Sequence, residues 1–143
     1  MPSSSDDNDD GALLSADVDL GLVLVVAPSP VDRVVVSRIA ERAGYRTVCR
    51  SPEEALPLNG GLPALVVLDG AAGGDSDRLV ERFTRLRRPT GGGQAPLMIL
   101  LGNAGPAARQ VHGGGIVDTV VAKPITPDRL QPIIRDMMER LKG

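Results

Sequence analysis

Three short runs in this chain are apolar at every position: residues 22–26 (Leu-Val-Leu-Val-Val), 64–68 (Ala-Leu-Val-Val-Leu) and 97–101 (Leu-Met-Ile-Leu-Leu). Runs of this length, rich in β-branched and leucine side chains, read as strands buried on both faces of a sheet. Residues 46–49 and 118–122 add two shorter strands. The segments between them follow the helical period instead. Ser29-Pro30 supplies an N-cap and first turn for a helix running to about Ala43, with Val31, Val35 and Ile39 at i+4 spacing and Gly44 ending it. A short helix starts at Pro52 and is cut off by Pro57 and Gly60-Gly61. Ser76 caps a third helix carrying Leu79, Phe83 and Leu86, closed by a loop over 87–95. Glycines leave only residues 106–112 as material for a fourth, since each interior glycine costs about 1 kcal/mol relative to alanine. Thr126-Pro127 opens the last helix, whose Leu130, Ile133, Ile134, Met137 and Leu141 form an apolar stripe, with a kink or delay expected at Pro132.

Five strands alternating with five helices through short connections predict an α/β fold: a doubly wound five-stranded parallel sheet of flavodoxin-like order 2-1-3-4-5. Ligands on such a sheet collect at the carboxyl ends of strands 1 and 3. Asp69, at the end of the 64–68 run, is the polar residue delivered there. Followed by Gly70, it also suits a plain turn.

Charge divides the chain. Residues 1–19 hold six aspartates and no Lys or Arg, which leaves 12 acidic against 16 basic groups in the remainder. The chain therefore reads as a disordered acidic tail over residues 1–20 and one folded domain over 21–143. The remaining basic excess is mild, and Tyr45 and Phe83 are the only aromatic residues, so no nucleic-acid partner is expected. No leader-like or membrane-spanning run occurs, and the lone Cys49 reads as a buried strand thiol; a cytoplasmic protein without disulfides is expected.

Three segments carry a resemblance. Residues 24–33 (Leu-Val-Val-Ala-Pro-Ser-Pro-Val-Asp-Arg), 66–70 (Val-Val-Leu-Asp-Gly) and 121–125 (Val-Ala-Lys-Pro-Ile) resemble the first strand and turn, the phosphoacceptor strand and the lysine-proline loop of the receiver domain of bacterial two-component response regulators. The spacing between them is similar to the family's, and the likeness covers about residues 20–141. In that family an acidic pair after strand 1 binds magnesium, the aspartate ending strand 3 accepts a phosphoryl group, and a lysine before a cis-proline contacts it. A Thr or Ser ending strand 4 and an aromatic residue on strand 5 report its arrival. The resemblance puts Asp69 at the acceptor position and Lys123 at the lysine position.

Four positions depart from the family. Ala27 and Pro28 replace the acidic pair, Leu101 the hydroxyl residue and Val120 the aromatic; Gly70 to Gly74 also lacks the family's Met-Pro turn. Magnesium takes about six oxygen ligands and is normally held by carboxylates, so magnesium binding is expected to be weak or absent and no cofactor is implied. Phosphoryl transfer depends on positioning and charge neutralisation, so no catalytic residue is assigned. Asp69 and Lys123 are expected to form a static ion pair. The function that follows is a stand-alone, degenerate receiver acting as a phosphorylation-independent interaction module. Its partner would be a histidine kinase, relay protein or other regulator, or a second copy, through the face of helix 4, strand 5 and helix 5 that the resemblance implies. The alternative is a working phosphoacceptor on Asp69. A flavodoxin-like cofactor binder would need aromatic groups in the pocket loops, and the pattern puts neither Tyr45 nor Phe83 there.

Other candidates read as structural. His112 has no Cys, Asp or Glu at ligand spacing and falls at a solvated helix end. Gly91 to Gly93 and Gly113 to Gly115 lack a phosphate-loop pattern and read as flexible loops. Arg85, Arg87 and Arg88 read as a solvated helix end, and Met137 and Met138 as core and rim.

Overall fold

The computed structural model describes residues 18–56, 58, 61–70, 74–102, 110–112 and 115–142. In chain order these form β1 (Val18–Val26), α1 (Pro30–Arg42), β2 (Arg46–Arg50), a 3-10 turn (Pro52–Glu54), β3 (Leu62–Asp69), α2 (Gly74–Arg85), β4 (Arg88–Pro89), β5 (Gln94–Ala95), β6 (Leu97–Gly102), β7 (Gln110–His112), β8 (Gly115–Val117), β9 (Thr119–Ala122) and α3 (Pro127–Lys142). The main sheet has the order β2-β1-β3-β6-β9, with every pair parallel. Counting only its strands, this is the flavodoxin-like order 2-1-3-4-5 that the apolar runs predict.

The continuous apolar runs are explained by burial on both faces. All eight residues of β3 are buried. Its Leu65 and Val67 lie with Val23, Val25 and Ile99 under α1 and α3. Its Val66 and Leu68 lie with Leu24, Val26 and Met98 under Leu79, Val80 and Phe83 of α2. β1 begins at Val18, so it takes in the last three residues of the segment that composition reads as tail. Its Asp19 accepts from the guanidinium of Arg46 and from the Gly21 N–H at 2.9 Å.

α1 forms as its caps require. The Ser29 side chain accepts from the Asp32 N–H at 3.3 Å, Pro30 takes the first turn, and Gly44 leaves the helix at a φ of 102°, a conformation that suits glycine. Its buried face is not the expected one. Val36, Ile39 and Ala40 are buried, whereas Val31 is 69% exposed and Val35 37%. An i+4 row advances about 40° per step on a helix of 3.6 residues per turn, so Val35 and Val31 rotate progressively away from the sheet that Ile39 touches.

Departures from the predicted pattern concentrate on the other side. Instead of five helices, the described residues hold three α-helices and the 3-10 turn over 52–54. Residues 110–112, read as helix, pair with β8 as an antiparallel ribbon, while 103–109 lie outside the described residues. Gly115 is why the ribbon can lie against α2: a Cβ there would stand 2.7 Å from both the Glu81 amide nitrogen and Val80 Cγ1. Thr84 Oγ1 fixes the contact, donating to the Val80 carbonyl at 2.7 Å and accepting from the Ile116 N–H at 3.0 Å. His112 is therefore a strand residue, not a helix end.

Residues 87–95, read as loop, contain the β4–β5 ribbon. Its glycine turn caps the end of α3, the Gly92 N–H donating to the Leu141 carbonyl at 3.0 Å. A Cβ at Gly91 would stand 3.1 Å from the Lys142 carbonyl oxygen, a tight contact against the end of α3. α3 runs unbroken through Pro132, and Met138 is buried beside Met137 rather than at a rim. Cys49 is half-buried, its thiol 3.7 Å from the Arg33 carbonyl. No helix among the described residues is long and apolar enough to cross a membrane.

Candidate functional site

Parallel packing carries Asp69 to the carboxyl end of the central strand, where it is 1% exposed. The turn behind it is tight: a Cβ on Gly70 would lie 2.9 Å from the Leu101 carbonyl, so only glycine lets the chain leave β3 this close to β6. β9 brings in the counter-charge. The Lys123 N–H donates to the Gly102 carbonyl at 3.0 Å, anchoring the loop after β9 to the end of β6. From there Lys123 Nζ reaches both oxygens of Asp69, at 2.8 and 3.0 Å. The Lys123–Pro124 bond is cis. The lysine side chain is 29% exposed, so the carboxylate is sealed while its partner borders solvent. A charge as buried as that of Asp69 needs such a partner, since desolvation costs several kcal/mol per ion.

The remaining positions singled out by the resemblance surround this pair without adding oxygen ligands from their side chains. Ala27 is fully buried, its N–H bonded to the Arg50 carbonyl at 3.2 Å. Pro28 is exposed at the mouth. Leu101 sits opposite Asp69 in the β3–β6 register and is 1% exposed. Val120, paired with Leu100, is buried in the core layer under α2.

A further residue belongs to this strand end and was not singled out from the sequence. Arg33, from the first turn of α1, donates through Nη1 to the carbonyls of Ala27 at 2.6 Å and Pro28 at 3.3 Å. Its place four residues after the N-cap Ser29 puts it one turn along, facing back over β1. The signal was available in that spacing, but arginine is so common on exposed helix faces that spacing alone does not raise it.

The donor set does not fit magnesium. The carbonyls of Ala27 and Pro28, the groups left where carboxylates would stand, already accept from a guanidinium, and Asp69 carries an ammonium on both oxygens. A divalent ion would have to displace two cations to gain one carboxylate. Among the described residues, no three His, Cys, Asp or Glu side chains converge as a metal site would require. Nor is a ring-stacking site formed by the aromatics: Phe83 is fully buried under the sheet, and Tyr45 packs beside the core with Lys142 Nζ 5.6 Å from its ring centre.

Arg87 departs furthest from its expected role. Its side chain is 9% exposed and pairs with Asp118, 12% exposed, at 2.5 Å. Arg87 Nε also donates to the Pro96 carbonyl at 3.0 Å, and the Asp118 carboxylate accepts from the Met98 N–H at 2.8 Å. It lies at the amino ends of β6 and β9, opposite Asp69.

Solved structures that share this fold include two proteins from Burkholderia. One is a pilus assembly protein, CpaE, from Burkholderia thailandensis: 17% identical, TM-score 0.60, covering 82% of this chain and 98% of that one. The other is a pilus assembly-related protein from Burkholderia pseudomallei: 16% identical, TM-score 0.59, covering 87% and 93%. No protein-family model matches the chain, and no curated protein does.

Proposed function

We infer that this chain is a receiver-type signalling module that works by docking to a protein partner and does so without phosphoryl transfer. The observation that carries this reading is the closed strand end: Lys123 spans both oxygens of Asp69, and Arg33 occupies the carbonyls that stand in place of an acidic pair. An incoming phosphoryl donor would meet a carboxylate already neutralised, with no metal to offset the charge developing on the transferred group. Leu101 offers no hydroxyl to follow an added phosphoryl, so a modification at Asp69 would have no relay through that position.

The partner, in this reading, is a protein of the pilus-assembly apparatus, the class to which both structural neighbours belong. The face of helix 4, strand 5 and helix 5 expected for such a contact changes character, because the β7–β8 ribbon stands where residues 110–112 were read as helix. The corresponding surface is that ribbon together with β9 and α3.

The second reading, a working phosphoacceptor, draws on the placement of Asp69 at the end of β3 within reach of Lys123. Incubation with acetyl phosphate and magnesium, followed by intact-mass measurement, separates the two. The docking reading expects no adduct in wild type and undiminished partner binding by Asp69→Ala. A stoichiometric adduct that disappears in Asp69→Ala would overturn it.

A further inference from the structure

The outer face of α1 presents an apolar patch that the fold leaves uncovered. Val31, Val34 and Val35 are 69%, 52% and 37% exposed, and they are the large hydrophobic residues exposed among the described ones. Below them a cleft of about 200 Å³ is lined by Val35, Arg38, Ile39, Arg42 and Pro127. Apolar side chains bordered by two arginines call for an occupant that is itself apolar and acidic. Glu41, a carboxylate on the same helix, is engaged by the Thr47 hydroxyl at 3.2 Å, and Asp32 sits in the first turn.

We propose that residues 1–17 of this chain fold back along α1, with Leu13 and Leu14 covering Val31, Val34 and Val35, and Asp17 meeting Arg38 and Arg42. Composition fits: residues 1–17 carry five aspartates (Asp6, Asp7, Asp9, Asp10 and Asp17), no Lys or Arg, and the leucine pair. The exit point fits as well. Asp19, next to the start of β1, pairs with Arg46 at the start of β2, four residues past the end of α1 at Arg42, so the chain preceding β1 emerges near the carboxyl end of α1. Leu14 and Leu13 stand four and five residues before Val18, a reach of about 13–18 Å for extended chain. Val35 and Val34 lie seven and eight residues before Arg42, about 10–12 Å along the helix. A tethered segment competes at an effective concentration of about millimolar, which lets a small contact persist where a free peptide would leave.

The test is amide NMR on the full chain, comparing wild type with the double variant Leu13→Ser/Leu14→Ser. Shifts confined to Val31 through Arg42, with loss of slowed hydrogen exchange there, are the expected result. Raising salt should move the same resonances in wild type and leave the variant still. Because Val31 and Val34 are exposed, Val31→Ser/Val34→Ser retains the core, and it should shift the amides of residues 13–17 in return. Unchanged α1 resonances in the leucine variant would overturn the proposal. So would sedimentation showing a wild-type dimer that the leucine variant converts to monomer, since the segment would then cover a second copy.

Discussion

Two acid–base pairs close opposite ends of the parallel sheet, and they differ in how far water reaches the cation. At the amino end, Asp118 accepts from Arg87 and from the Met98 N–H, while Arg87 also donates to the Pro96 carbonyl; both side chains are nearly buried. At the carboxyl end, Asp69 is buried, but Lys123 is a single ammonium on a flexible stem, 29% exposed. The fork of an arginine fixes a joint through several directed hydrogen bonds, whereas a lysine is a point charge on a flexible stem. The contrast teaches that burial of an acid does not by itself mark a site. The amino-end pair has the better shielded cation of the two, and it lies where open α/β sheets do not place their chemistry.

The sharpest way to break this comparison is at the better shielded end. Asp118→Ala should strand the Arg87 guanidinium and remove the acceptor from the Met98 N–H, costing about 3–5 kcal/mol in urea unfolding. A loss under about 1 kcal/mol would mean that the amino-end network is not the joint described. Next is Lys123→Met, which removes the ammonium from Asp69. Because Lys123 is partly solvated, about 2–3 kcal/mol is expected. Adding Asp69→Asn should recover much of that loss, since a neutral amide no longer demands a cation. Strict additivity of the two changes would show that the pair is not coupled.

The sheet was legible because its signal is repeated. Leu22–Val26, Ala64–Leu68 and Leu97–Leu101 each had to be buried on both faces, and only a layered parallel sheet does that for several runs at once. Asp69 was legible as the polar residue ending a buried run, and Lys123 through the resemblance of residues 121–125 to the receiver family's lysine-proline loop. What the sequence hid was decided by tertiary contact. The β7–β8 ribbon depends on Gly115 meeting the backbone of α2, and nothing in the neighbouring sequence announces that contact. Val31 and Val35 share the i+4 spacing of Ile39 yet face outward, because each i+4 step turns about 40° around the helix and the buried face runs through Val36, Ile39 and Ala40. Arg87 looks like any charged helix end until Asp118, 31 residues on, is folded against it.

The smallest expected effect comes from a third acid–base pair, Asp19 with Arg46, which separates charge from burial. It too lies at the amino end of the sheet, but its side chains are 36% and 67% exposed. The bonded Arg46 guanidinium holds the Asp19 carboxyl below its ordinary value of 3.8, with the Gly21 N–H assisting and partial burial opposing. A carboxyl depressed on folding stabilises fully above its unfolded value, and that contribution is lost as pH falls through the folded one. Asp19→Asn should therefore cost about 0.2–1 kcal/mol at neutral pH and low salt, the range for exposed pairs. The gap between wild type and variant should narrow as pH drops below about 4 and shrink again when salt is raised at pH 7. Urea midpoints across that pH range read it out. If Asp19→Asn proved as costly as Asp118→Ala, charge pairing alone would set the scale, and the shielding of Arg87 and Asp118 from water would explain nothing.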